Sequence, residues 1–297
     1  MIDARLRAFI SVAENLSFTK AAGELLISQP AVSKHIKELE AEYNTALFER
    51  RGSHVRLTEA GAVLLSHARR VLEEYRQLDA GMDALRPGTR GVLRLGASTT
   101  IAQYVLPEML AEFRRKYPEI ALTLSSGNSR EVEAELFRGT IDLGMVEGAS
   151  RRQGLKYTPF MKDELVAIAG TAGALGRHET LSAEELRHIP IVLREYGSGT
   201  LDVVQQALRK LGMKLSELNI EMNIGSTEGI KNYVAHSDAA GIVSIRSVSG
   251  DIYRNVFRII DIEGLHMERE FQIAERSGES TGLAGKFKEF ITESYRR

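Results

Sequence analysis

Residues 17–40, SFTKAAGELLISQPAVSKHIKELE, read as two short helices joined by a tight turn. Phe18, Ala21, Ala22, Leu25 and Leu26 recur at three- and four-residue spacing, which gives the first helix an apolar face. Its alanine pair lets a second helix approach closely, and Ser17 supplies a capping oxygen. The second helix starts at Ser28 or Gln29, with Pro30 in the first turn, where a missing N–H costs nothing. Ala31, Val32, Ile36 and Leu39 form its inner face. Gln29, Ser33, Lys34 and Lys37 share the opposite face, and their amide, hydroxyl and ammonium groups suit base edges and phosphates in a major groove. The same groups would also make an ordinary solvated surface, so the neighbouring sequence has to decide.

Downstream, Leu47 and Phe48 are apolar anchors, and Arg50-Arg51-Gly52-Ser53-His54-Val55-Arg56 reads as a short basic hairpin turned at glycine. Arginines there can clamp phosphates or enter a minor groove. Phe9 and Val12 come earlier, and Ser17 to Ala22, Ser28 to Ser33, Ile36, Leu39 and Glu40 follow. With Leu47 to Arg50 and Leu57-Thr58-Glu59-Ala60-Gly61, these motifs occur in one order with consistent gaps. In that order residues 1–86 resemble the winged helix-turn-helix and linker helix of the LysR-type transcriptional regulators. The chain departs from the family at Tyr43-Asn44-Thr45, where a Leu-Gly turn is more frequent. The resemblance implies a DNA-binding domain over 1–58 and double-stranded operator DNA as partner. The contacts would come from Ser28, Gln29, Pro30, Ser33, Lys34 and Lys37, with Arg50, Arg51 and Arg56 from the wing.

Thr58 caps a long helix over 59–86. Leu64, Ala68, Val71, Tyr75, Leu78, Met82 and Leu85 recur along it in steps of four and three, while Arg69, Arg70, Glu73, Glu74 and Arg76 fall off that line. This is a heptad seam, which predicts a helix-to-helix contact between two copies through Leu64, Val71, Leu78 and Met82. A homodimer or homotetramer is expected. Pro87, Gly88 and Gly91 then give a hinge over 87–91.

The length, 297 residues, accommodates such a module plus a larger domain, and the net charge of −1 argues against coating nucleic acid or an anionic membrane through bulk charge. DNA affinity must come from local placement of basic groups. The absence of cysteine excludes disulfides, thiol catalysis and thiolate-held metals. His35, His54, His67, His178, His188, His236 and His266 are scattered without ligand spacing, so neither a metal nor any cofactor beyond a small-molecule effector is expected. The first residues lack the apolar run of a signal peptide and no later stretch is long enough to span a bilayer. The expectation is a cytoplasmic protein with no membrane partner.

From Val92 the pattern changes to strand VLRLGA, one helix ending at Tyr117, strand IALTLS, a helix over 131–137 and strand IDLGMV. This is a βαβαβ order, which predicts a mainly parallel sheet with helices on both faces. A second unit opens near Leu165 with LVAIA and passes through a capping-box helix at Ser182 and Glu185 and a strand over 189–193. A helix over 201–211, strand IEMNI, a helix over 227–235 and strand GIVSI complete it. The strand near Phe271 and a last helix over 283–295 return to the first unit. The fold class is therefore α/β, with lobe I over 92–162 and 267–297 and lobe II over 163–266, joined by two crossing strands. Leu106-Pro107, Asp142 and Gly241-Ile242 resemble the periplasmic-binding-protein-like effector domain of the same family, with Ala239 where a glycine is common.

Ligands of parallel sheets sit beyond the carboxyl ends of the strands, where helix N-termini attract anions. The turns there hold Ser98, Thr99, Thr100, Asn128, Ser129, Ser198, Gly199, Thr200, Ser226 and Thr227. Any one of these is a good helix cap; together they predict an effector site bridging the lobes. In Arg194-Glu195-Tyr196-Gly197-Ser198-Gly199-Thr200, glycines on both sides of a serine let the backbone approach a ligand. No P-loop or hydrolase elbow is present. The run is similar to the family branch regulating carbon fixation and sulfur assimilation, which implies a small anion or metabolite as effector. No obvious buried arginine lies at these turns, which limits the charge they could hold. The reading is a sequence-specific, effector-sensing transcription regulator and not an enzyme, with RNA polymerase a candidate further partner. A binding protein that only sequesters ligand is the alternative.

Overall fold

The computed structural model describes residues 3–51, 54–84, 91–148, 151–276 and 282–295, and it divides into two units, residues 1–85 and 86–297. In the first unit, α1 (Ala4–Asn15), α2 (Phe18–Leu25) and α3 (Gln29–Tyr43) precede a hairpin of β1 (Phe48–Arg51) and β2 (His54–Leu57) and a long α4 (Glu59–Ala84). Ser17 accepts from the Lys20 amide and Ser28 from the Ala31 amide, so each helix starts on a serine oxygen. Phe9, Val12, Phe18, Ala21, Val32, Ile36, Leu39, Leu47 and Phe48 make the core, with the Phe48 ring 5.4 Å from Phe9 and 5.8 Å from Phe18.

Leu26 does not join this core. It closes α2 in the left-handed conformation, φ 56°, and this reversal leaves its side chain 92% exposed. Ala31 is only partly buried. Asn44 ends α3 at φ 48°, which explains how this chain does without a glycine there: asparagine is one of the few residues that tolerates that region. Glu40 reaches back to accept from the amides of Leu47 and Phe48, and the Thr58 hydroxyl donates to Ala46 O, so α3 and α4 clamp the entry to the hairpin. A Cβ at Gly61 would lie 2.2 Å from Leu47 O.

On α4, Ala68 is buried and Leu64 packs partly into the same core with Leu65 and Leu72. Leu64 therefore belongs to its own domain, contrary to the seam expected from periodicity. Val71, Leu78 and Met82 remain exposed. Leu85 and the expected hinge residues 87–90 lie outside the described residues, as do Gly52 and Ser53 of the hairpin. Gly91, expected in the hinge, already pairs with Ile120 in the sheet.

The second unit runs β3 (Gly91–Ser98), α5 (Thr99–Tyr104), α6 (Leu106–Lys116), β4 (Ile120–Gly127), α7 (Ser129–Arg138), β5 (Leu143–Val146) and β6 (Leu155–Gly170). It continues through β7 (Thr180–Leu181), α8 (Ala183–Leu186), β8 (Ile191–Arg194), α9 (Gly199–Lys210), β9 (Ile220–Ile224) and α10 (Thr227–Val234). β10 (Ala240–Ser244), α11 (Ile245–Tyr253), β11 (Phe257–Ile262), β12 (Glu268–Arg276) and α12 (Gly282–Tyr295) end it. The strand order is β4-β3-β5-β12-β6-β10-β8-β9. β3 is parallel to β4 and β5, β8 is parallel to β9 and β10, and β6 and β12 run antiparallel between the two groups.

Two sequence expectations change here. The single helix ending at Tyr117 is two, broken at Val105 because Pro107 starts a new first turn. The strand expected at Leu165 is the second half of β6, which pairs with β12 up to Glu164 and from Leu165 with β10. One lobe packs Leu95, Ile101, Phe113, Met145 and Phe271 with Phe287 and Ile291 of α12; the other packs Ile191, Leu193, Leu201, Val204 and Ile242. Among the described residues no helix is long and apolar enough to cross a membrane, and no cluster of His, Asp and Glu could hold a metal ion.

Candidate DNA-reading face and effector cleft

The amphipathic period of α3 buries Val32, Ile36 and Leu39 and turns Gln29, Pro30, Ser33, Lys34 and Lys37 outward along a shallow groove that also includes Glu38 and Ala41. Gln29 Nε2 donates to Ser33 Oγ at 2.9 Å, so the two polar side chains are held together one turn apart. Glu38 lies 3.9 Å from Lys34 and 3.6 Å from His35, which tempers the positive charge at the middle of the helix. Ser28 is committed to the cap. In the hairpin Arg56 is exposed and pairs in register with Glu49, Arg50 with Val55, and Arg51 with His54. The structure thus gathers the expected α3 residues on one face.

The turns at the carboxyl ends of β3, β4, β8 and β9 meet between the two lobes of the second unit. Asn128, Ser198 and Ser226 each cap the helix that follows, accepting from the amides of Glu131, Thr200 and Gly229. Ser98 and Thr99 are buried with no hydrogen-bond partner for either hydroxyl oxygen. Ser129 Oγ donates to Glu147 O at 3.0 Å, and Thr227 Oγ1 lies 3.5 Å from Arg194 Nη1.

At the centre is a residue absent from the sequence expectations. The Glu147 side chain follows β5 and is 2% exposed, and its Oε1 accepts from Thr200 Oγ1 of lobe II at 3.1 Å and from Thr100 Oγ1 of lobe I at 3.4 Å. Arg269, on the crossing strand β12, balances its charge, with Nη2 3.1 Å from Glu147 Oε2 and Nη1 donating to Thr200 Oγ1 at 3.0 Å. Arg269 Nε also pairs with Asp163 of β6 at 2.7 Å, and Ser244 donates to Asp163 at 2.7 Å. Arg194 is likewise buried, paired with its neighbour Glu195 at 2.8 Å. The limit on charge expected from the lack of a buried arginine at these turns therefore does not hold, because two buried arginines reach Thr227 and Thr200 from elsewhere. Neither arginine stands at a turn: both sit on strands whose ends face the cleft.

The glycines of the Gly197-Ser198-Gly199 run admit protein backbone from the other lobe. Gly197 has φ +92°, and its carbonyl accepts from the Arg130 amide at 3.2 Å. A Cβ at Gly199 would lie 2.0 Å from Glu147 O, and one at Gly148 would lie 2.8 Å from Gly199 Cα. A second bridge joins Tyr104 of α5 to Glu228 of α10 through the phenol hydroxyl. Burial pushes the Tyr104 phenol up, helped by that hydrogen bond. Burial opposes the charge on Glu228 too, yet hydrogen bonds from Lys231 and Tyr104 outweigh it and hold this carboxyl below its ordinary value.

Beside the crossing strands lies a cavity of about 850 Å³ whose walls include Arg151, Lys162, Glu164, Arg246, Glu268 and Glu270. It shares Asp163 and Arg269 with the cleft but none of the expected effector residues. Its lining carries charges of both signs, whereas in the cleft two hydroxyls and a guanidinium surround the Glu147 carboxylate.

Residues 4–62 match the family model described as bacterial regulatory helix-turn-helix protein, lysR family, and residues 86–296 match the LysR substrate binding domain. The chain belongs to the LysR family. It is a DNA-binding transcriptional regulator with a C-terminal effector-binding domain of the periplasmic-binding-protein-like kind. It is 33% identical over 265 residues to the HTH-type transcriptional regulator CysL of Bacillus subtilis, covering 89% of this chain and 88% of that protein. It is also 33% identical to a probable RuBisCO transcriptional regulator of Cyanidioschyzon merolae, over 90% of this chain and 89% of that one. The CcmR regulatory domain of Synechocystis, solved in complex with 2-PG, superposes with a TM-score of 0.63 at 25% identity, covering 70% of this chain and 98% of that one. These names agree with the carbon-fixation and sulfur branch suggested by the Arg194 to Thr200 run.

Of Glu147 and Arg269, only Glu147 had a sequence signal. Glu147-Gly148 follows strand IDLGMV just as Ser98 follows VLRLGA, so the strand-end argument applied to it as well. Arg269 gave none, because it lies within a strand and far from its partners in the chain.

Proposed function

We propose that this LysR-family regulator reads an operator through Gln29, Ser33, Lys34 and Lys37 of α3 and is controlled by a small anion taken up between the lobes of its effector domain. The observation that carries the second part is the convergence of hydroxyls from both lobes on a carboxylate, that of Glu147, backed by Arg269, with the Ser98 and Thr99 hydroxyls buried and unpartnered. Hydrogen bonds to a charged group are worth roughly 1.5–3 kcal/mol each, so a few such donors suffice for a micromolar effector. The complex of the CcmR regulatory domain with 2-PG supports placing a ligand in this domain.

The working form is a homo-oligomer, paired through Val71, Leu78 and Met82 of α4. It acts in the cytoplasm with RNA polymerase as a further partner, without catalysis and without a cofactor other than the effector. Screening small carboxylic, phosphate and sulfate acids by thermal shift on the full chain, then repeating operator binding with each hit, tests the reading. At a hundredfold excess over Kd an effector stabilises by about 2.7 kcal/mol. A hit that also alters operator binding is the expected result. Stabilisation only by uncharged or cationic compounds would contradict the anion assignment.

A further inference from the structure

We propose that the carboxylate of Glu147 is a built-in ligand of the cleft: Thr100, Thr200 and Arg269 form a carboxylate receptor that Glu147 fills, and an effector anion gains those groups by displacing it. The proposal rests on the assignment of the effector to this cleft and adds the ligand class and the resident competitor.

The geometry is that of a bound carboxylate. A single oxygen, Oε1, takes one hydroxyl from each lobe, Thr100 at 3.4 Å and Thr200 at 3.1 Å. Thr200 Oγ1 accepts from Arg269 Nη1 at 3.0 Å, which leaves its own proton to point at Glu147. Arg269 is in turn fixed by Asp163, so the guanidinium of the receptor is held by the strands joining the lobes and does not depend on Glu147 for its position.

The fit is also incomplete. Glu147 Oε2 and Arg269 Nη2 approach to 3.1 Å, yet both are buried and neither makes an aligned hydrogen bond. A carboxylate held by its own backbone reaches the guanidinium off axis; a free one can align on it, and charge-assisted pairs gain most from alignment. Burying an acid in this way contributes little to stability compared with an apolar residue of the same size, whereas removing one partner is costly. Its effect is on binding. With the receptor already filled, apparent effector affinity falls by the fraction of molecules in which Glu147 has swung out. The same bonds hold Thr100 against Thr200, so the lobes rest together without ligand.

Glu147→Ala deletes Cγ, Cδ and both oxygens, the heavy atoms of acetate, so sodium acetate is the probe. The full-length variant should melt below the wild type. Acetate at about five times its Kd should then raise its Tm by roughly 2–4 °C, saturably, and more than sodium chloride at equal ionic strength. The wild type should not respond, and adding Thr200→Val should remove most of the rescue. Acetate acting no better than chloride, or equally on the wild type, overturns the proposal.

If Glu147→Ala does not fold, Glu147→Gln keeps the volume without the charge. Hydrogen exchange at the Thr100, Gly199 and Thr200 amides should then quicken about tenfold, and unchanged exchange overturns the proposal. Acetate rescue in a protein whose operator binding answers to no small acid would leave the receptor standing and remove the effector reading instead.

Discussion

Gly199 is the residue on which the contact between the lobes turns. Its missing side chain lets α9 begin against the carbonyl of Glu147, so Gly199→Ala must push the lobes apart or distort one of them. Overpacking of this kind costs roughly 1–3 kcal/mol, measurable by denaturant unfolding of the full chain, and an unchanged midpoint would place the lobes apart in solution. Glu133 carries a second prediction. Burial pushes its carboxyl above the ordinary 4.5, against the hydrogen bond from Tyr157 and the charges of Arg152 and Arg151. Tyr157, itself pushed up to about 12 chiefly by burial, remains a donor to it. The protonated acid thus suits the fold better: its contribution is present below the unfolded pKa and lost as pH rises through the raised folded value. Glu133→Gln keeps the acceptor and removes that loss, so Tm of the variant minus that of the wild type should grow as pH rises above the ordinary carboxylate range. A difference flat with pH would mean that Glu133 ionises in the fold as readily as in water. At this scale the sequence was legible where the interaction is local. Ser17, Ser28 and Ser182 cap the helices that follow them, because a cap needs only its neighbours. The Gly197-Ser198-Gly199 run predicts a backbone that comes close to a ligand; the structure shows it close to Glu147 and Arg130 of the other lobe, and sequence has no means of telling a ligand from another part of the same chain.

Among elements, periodicity identified nearly every helix and strand of the sheet while leaving open what each one faces. The apolar line along α4 is real, but its first members, Leu64 and Ala68, turn into their own domain, while Val71, Leu78 and Met82 are the exposed ones among its described members. A heptad pattern looks the same in both cases. Because Val71 is 44% exposed in the single chain, Val71→Glu should fold normally as a monomer and fail only in association, where the charge would be buried without a partner. Light scattering after size exclusion should show a smaller species with unchanged secondary structure; an intact oligomer would place the contact elsewhere. Only the second half of β6 is evident from the sequence, because Lys156, Lys162, Asp163 and Glu164 interrupt the apolar pattern before Leu165, and a stretch paired with β12 along one edge can carry such charges. α11 and β11 were not anticipated, and they complete the second lobe beside β6.

As a whole molecule the chain has a net charge of −1, so it cannot bind DNA by bulk attraction and has to earn its affinity from a few placed groups. The proposal assigns that role to the face of α3, where Gln29 and Ser33 are joined by a hydrogen bond and Lys34 and Lys37 stand beside them. Sequence-specific readout by that face is the claim on which the rest depends, since an effector domain regulates transcription only if the other unit selects a site. The direct test is to measure Gln29→Ala and wild-type protein on a selected operator duplex and on a random duplex, at one salt concentration. Loss of about 1–3 kcal/mol on the operator with little change on random DNA is the predicted result. Equal losses on both would make Gln29 a backbone contact and contradict the account.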